Sequence, residues 1–124
     1  MGKQLDATAF LAKIKQSPNI DKAGMILIHN GIVRSFSRDG APVSGVEVEA
    51  NMTKLNEILD KARQRPGIVA VEAIIQQGYL EIGDDLMLLG VAGDIRENVI
   101  KTLEETLNQI KAEVTFKKEF PIKG

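Results

Sequence analysis

Lysine amines are the groups in this sequence best suited to chemistry. Their densest placement is Ile110-Lys111-Ala112-Glu113-Val114-Thr115-Phe116-Lys117-Lys118-Glu119-Phe120, where an amphipathic helix passes into a short strand. With no cysteine and one histidine in 124 residues, covalent or acid–base work falls first to amines, which are also natural partners for carboxylates and phosphates. Two arginines extend the inventory. Arg34 follows Gly31-Ile32-Val33 where the backbone leaves a strand, and Arg96 stands in the first turn of a helix. A cation there opposes the helix dipole by about 0.3–1 kcal/mol, so its placement asks for a reason. Beside free helix N–H groups it would form an anion site; a salt bridge to Asp94 or Glu97, or plain solvation, is the ordinary alternative. Lys111 and Lys118 carry the same pair of readings, and Lys117 or Lys118 must point outward if Phe116 points in.

Other chemistries are excluded. One histidine and no cysteine leave no zinc constellation, and no cofactor is called for. His29 lies within an apolar run and reads as a packed or hydrogen-bonded core residue. Gly40 and Gly45 lack the lysine and hydroxyl of a phosphate loop, and no serine has a nucleophile-elbow setting. Asp84-Asp85 reads as a solvated tight turn rather than a metal site. Four Phe, one Tyr and no Trp make a poor base-stacking platform, and a net charge of −1 removes the basic surface that nucleic acid needs. The polar start Met1-Gly2-Lys3-Gln4-Leu5-Asp6 is unlike a signal peptide, and no apolar run approaches a membrane span. A cytoplasmic location is expected.

The elements that must position these residues follow from periodicity. With 44% hydrophobic and 27% charged residues, the chain reads as one domain over residues 1–124 with a real core. Asp6 or Thr8 caps a first helix carrying Phe10, Leu11 and Ile14. Residues 24–33 form a buried strand, Ser37 to Pro42 a turn, and Val46 and Val48 alternate with Glu47 and Glu49 as a half-exposed strand. Asn51 caps a second helix with Leu55, Ile58, Leu59 and Ala62, stopped by Pro66-Gly67. Strands at about 68–76 and 85–92 are joined through 78–84. Asp94 caps a third helix whose apolar stripe is Val99, Ile100, Leu103, Leu107 and Ile110, and a last strand covers about 113–119. The order α-β-β-α-β-β-α-β with hairpin-type links predicts an α+β domain, a mainly antiparallel sheet with three helices.

A family resemblance rests on several stretches in order: Gly31-Ile32-Val33-Arg34, Gly45-Val46-Glu47-Val48-Glu49-Ala50, Lys61-Ala62-Arg63, Gly78-x-Leu80-Glu81-x-Gly83-Asp84, Arg96, Ile110-Lys111 and Val114-x-Phe116-x-Lys118. From about Met25 to Glu119 the sequence resembles the large, catalytic subunit of molybdopterin synthase, the MoaE-type family. The resemblance implies an α/β-hammerhead-type fold and a homodimer flanked by two small ubiquitin-like sulfur carriers, together a heterotetramer. It implies that a carrier tail ending in Gly-Gly enters a pocket as a thiocarboxylate. Sulfur then passes twice to cyclic pyranopterin monophosphate, making molybdopterin. By the same resemblance the active-site lysines fall on Lys111 and Lys118, which neutralise the tail and assist a covalent or acyl intermediate. Arg34 and Arg96 hold the pterin's anionic groups, and Lys117 is the competing candidate for the second lysine position.

The sequence also departs from the family. Ser35-Phe36-Ser37 replaces its usual Asp or Asn followed by His-Asn, and Ile95-Arg96 replaces a His-Arg pair. Another His-Arg pair is replaced around Ile75-Gln76, and Lys117 occupies a tryptophan position unless Phe116 takes it through a small shift. Two readings follow: an active synthase subunit, or a non-catalytic paralogue that binds a ubiquitin-like partner or an anionic metabolite.

Overall fold

The computed structural model describes residues 3–122; residues 1, 2, 123 and 124 of the single domain expected over 1–124 lie outside the described residues. Helix α1 (Ala7–Lys15) and a 3-10 turn at Ile20–Lys22 precede strand β1 (Met25–Ile32). Strand β2 (Val43–Ala50) and helix α2 (Met52–Arg63) follow, then β3 (Ile68–Ile75), β4 (Gly78–Glu81) and β5 (Asp85–Gly93). Helix α3 (Arg96–Glu113) and strand β6 (Thr115–Pro121) close the described chain. The class is the expected α+β, with three helices and antiparallel pairing throughout. Two features correct the sequence reading. The strands form two three-stranded sheets, β1-β5-β3 and β4-β2-β6, and the segment 78–84 contains β4. Leu80 explains the extra strand: opposite Val46 it becomes fully buried, which draws this short segment onto the second sheet.

Strand β5 lies between β1 and β3, and its nearly unbroken apolar run reflects burial on both faces. On one face Leu88 and Ala92 pack with Phe10 and Ile14 of α1. There Gly90 is required by close approach, since a Cβ would collide with the Ile14 and Phe10 side chains. On the other face Leu89 and Val91 join Leu55 and Leu59 of α2, Val99 and Ile110 of α3, and Val46, Val48 and Leu80 of the second sheet. This larger core binds the two sheets and two helices together. Strand β1, expected to be buried, is instead half-buried, with Asn30 and Ile32 exposed, because it is a sheet edge.

Local signals held at the first two helices. Asp6 Oδ1 accepts the Ala9 N–H at 2.9 Å, and Asn51 Oδ1 accepts the Lys54 N–H at 3.0 Å. At α3 the cap position is Ile95 rather than Asp94. Asp94 lies one residue earlier and accepts from the Ile95 N–H at 2.7 Å and Asn98 Nδ2 at 2.9 Å. The α3 stripe also differs: Ile100 is exposed, while Thr102 and Thr106 are buried beside Val99 and Ile110. Those four positions share a face at three- and four-residue spacing, and Ile100 is turned about 100° away from Val99.

The Asp84-Asp85 turn is buried, not solvated. Asp84 accepts the N–H groups of Lys3 at 2.7 Å and Glu81 at 2.8 Å, and Asp85 accepts the Leu5 N–H at 2.7 Å. The carboxylates therefore clasp residues 3–5 to the β4–β5 turn. Asp85 Oδ1 also accepts Asn30 Nδ2 at 3.2 Å, tying this clasp to the end of β1.

Candidate functional site

A cleft of about 640 Å³ opens where the end of β1, the last turn of α3 and the start of β6 meet. Each wall is fixed by a buried neighbour of the side chain it presents. Ile110 and Val114, both inaccessible, pin the C-terminal turn of α3 and leave Lys111 at the cleft. A lysine in a last helical turn also faces the negative end of the helix dipole. Val33 is buried; its N–H donates to Asp84 O at 2.9 Å, and its carbonyl accepts the Gly83 N–H at 2.8 Å. The chain leaves the strand just after this anchor, carrying Arg34 along the cleft with its guanidinium 5.0 Å from the Phe36 ring centre.

Strand β6 turns the two lysines to different faces. In its antiparallel register with β2, Lys117 stands opposite Val48 and Glu119 opposite Val46, both buried residues of β2. Lys117 and Glu119 line the cleft. Lys118 stands opposite Glu47 and projects from the other face, its Nζ 5.6 Å from the Phe120 ring centre. The period of two along a strand sends adjacent lysines to opposite faces, so they cannot share a cleft. The structure thus brings Lys111, Lys117 and Arg34 together and leaves Lys118 outside. Phe116, on the Lys118 side, is exposed rather than inward.

Arg96 is also elsewhere. It begins the same continuous helix that ends beside Lys111, and the 15 intervening steps separate them by about 22 Å. Among the described residues it forms no ion pair with Asp94 or Glu97.

Two cleft residues escaped the sequence reading. Arg38 lines the cleft from the loop between β1 and β2, which is held by Ser37 N–H to Ala41 O at 2.7 Å and a bridge between Phe36 and Pro42. His29 is no closed core residue: it is half-buried on β1 and lines the cleft. Its apolar neighbours disguised it, because odd positions of β1 begin against the core at Met25 and Leu27 and reach the cleft by His29 and Gly31.

Electrostatically the cleft is a cation cluster. Among the described residues, none of Arg34, Arg38, Lys111 and Lys117 has an ion-pair partner, and Glu119 is the lining carboxylate. Burial, and then the Lys111 charge, lower the Lys117 pKa; Arg34 and Arg38 add to this and Glu119 opposes it. His29 is likewise lowered, first by burial and then by Lys111. The described residues hold no cluster of His, Asp and Glu suited to a metal. Among them no helix is long and apolar enough to cross a membrane.

Fold and cleft define an α+β domain of three helices and two antiparallel sheets with a concentrated positive site. Comparison with known proteins gives the family. The model of the MoaE protein family matches residues 2–113. A molybdopterin synthase catalytic subunit from Yersinia pestis is 30% identical over 109 residues, covering 84% of this chain and 72% of that protein. Molybdopterin synthase from Staphylococcus aureus shares the fold at a TM-score of 0.78 and 22% identity, covering 99% of this chain and 93% of that one. A Helicobacter pylori structure, a complex of subunits 1 and 2 of molybdopterin-converting factor, contains a chain matching at a TM-score of 0.71 and 20% identity, over 98% and 87% of the two chains. This chain belongs to the MoaE family, the large subunits of molybdopterin synthase in molybdenum cofactor biosynthesis. The family match ends before β6, so the choice between Lys117 and Lys118 rests on geometry.

Proposed function

We propose that this chain is a working sulfur-transfer subunit and that Lys111 and Lys117, with Arg34, hold the reactants. The observation that carries this reading is the convergence in one cleft of cations that have no ion-pair partner among the described residues. A carrier thiocarboxylate and a cyclic phosphate are both anions, and fixed cations at the edge of a core stabilise them without reorganising. The carrier is a small ubiquitin-like protein ending in Gly-Gly, whose narrow tail suits a cleft of this size. The substrate is cyclic pyranopterin monophosphate, and two successive transfers build the dithiolene in the cytoplasm. In each, the thiocarboxylate sulfur bonds to a substrate carbon as a carbon–oxygen bond there breaks, and water then cleaves the acyl–sulfur bond so that the carrier leaves as a carboxylate. Lys118 stays outside this chemistry on the far face of β6. Arg96 reaches such a site only from a second copy of the chain, as a homodimer within the heterotetramer would supply it.

Incubating the protein with thiocarboxylated carrier and cyclic pyranopterin monophosphate should yield molybdopterin, measured as its fluorescent oxidation product. A second reading draws on Ile95 standing where the family places histidine: a non-catalytic paralogue that binds the carrier or an anionic metabolite. Carrier binding without product would establish that reading in place of the first.

A further inference from the structure

The unassigned group in the cleft is His29, and its setting is that of a base. It is the sole imidazole of the chain and sits on β1 facing the end of α3. Among the described residues no side chain or backbone group hydrogen-bonds to its ring, and no buried polar atom lacks a partner, so its nitrogens open to the cleft. Gly31, two residues along the same face, keeps the space beside Nε2 clear. A Cβ there would lie 3.4 Å from His29 Nε2 and 3.1 Å from Met87 Cγ. The charged groups that line the cleft with it are Lys111 on α3, Arg34 and Arg38 after β1, and Lys117 and Glu119 on β6, and Lys111 is the one whose charge acts on the ring. Strand β5 contributes only the uncharged Leu86 and Met87 to this wall. Burial first, and the Lys111 charge after it, disfavour protonation of the ring and hold its pKa below the ordinary histidine value, which favours the neutral imidazole with a free lone pair.

Resting on the sulfur-transfer reading, we propose that His29 is the general base that releases the carrier after each transfer. When a thiocarboxylate sulfur bonds to a substrate carbon, a carbon–oxygen bond at that carbon breaks, the oxygen takes its electron pair, and the product is a thioester joining carrier and substrate. That thioester must be cleaved. A water oxygen bonds to the acyl carbon while His29 accepts the water proton. The carbon–sulfur bond to the carrier breaks, and its electron pair leaves on the substrate's sulfur as a thiolate facing Lys111. The carrier departs as a carboxylic acid that ionises to the carboxylate by losing the second water proton to solvent, and His29 returns its own proton to solvent. Atoms and electrons balance with water as the only added reactant. The lysines hold anions in this scheme, and the neutral imidazole supplies the base that ammonium groups cannot.

The test is a single-turnover reaction with thiocarboxylated carrier and cyclic pyranopterin monophosphate, using wild type, His29→Gln and His29→Phe. Product and intact carrier masses are followed across pH. Wild type should show an acid limb set by His29 protonation, lying below the range of an ordinary histidine. Both variants should bind carrier normally, lose that limb, and release carrier about 100-fold more slowly or worse. A carrier–substrate adduct cleavable by hydroxylamine should accumulate in them. Variants that match wild type in rate and pH profile, without adduct, would overturn the role of His29 while leaving the sulfur-transfer reading intact. Failure of wild type itself to make product would overturn that reading and the role of His29 with it.

Discussion

At the residue scale the site is a matter of which side chain faces which neighbour. The lysine-rich segment was legible as chemistry from composition alone, because a chain without cysteine has few other nucleophiles. Its geometry was not legible, since two adjacent lysines on a strand look alike until the register is known. Opposite Val48, Lys117 turns to the cleft; opposite Glu47, Lys118 turns away. The environment of Lys117 has a measurable consequence. Its pKa is lowered, by burial first and by Lys111 next, so at a given pH more of it is the reactive free amine than of a solvated lysine. Trace labelling with an amine reagent at about pH 8, read by mass mapping, should modify Lys117 faster than Lys118. Lys111→Ala should slow Lys117 labelling by removing a charge that favours the neutral form.

At the element scale the sequence was most readable where local chemistry and burial agree. Asn51 capping α2, the alternation of β2 and the two-sided run of β5 are of this kind. It was least readable where tertiary contacts override local signals. Leu80 makes a strand of a segment that reads as a linker, and Asp84 and Asp85 find backbone donors 81 and 80 residues away in place of water. The clasp is expected to be acid-sensitive. The Glu81 N–H foremost, then the Lys3 N–H and charge, hold the Asp84 carboxyl below the ordinary aspartate range, against an opposing effect of burial. A lowered folded-state pKa means that the stabilisation is present above the unfolded value and lost as pH falls through the folded one. Urea midpoints taken at about pH 6 and about pH 3 should therefore fall further for wild type than for Asp84→Asn. Equal falls would show that this carboxylate does not contribute.

At the scale of the whole molecule, the two-sheet core joins distant parts of the sequence at one cleft, yet keeps Arg96 about 22 Å from Lys111 along a rigid helix. That separation was computable from the sequence once the helix was recognised. The facing of His29 and Arg38 was not, because it depends on where β1 passes the end of α3. If Arg96 serves the cleft of a second copy, Lys111→Ala and Arg96→Ala should each be inactive alone. Unfolded and refolded together, they should recover about a quarter of wild-type activity, since half the dimers are mixed and each carries one intact site. No recovery would place Arg96 outside the site.

The most direct measurement is molybdopterin formation by Lys111→Ala, Lys117→Ala and Lys118→Ala under identical conditions. Loss of fixed charge at the reacting centre should slow the first two by about 100-fold or more, with Lys118→Ala within about twofold of wild type. Activity that survives Lys117→Ala and is abolished by Lys118→Ala would contradict the cleft as the site of sulfur transfer.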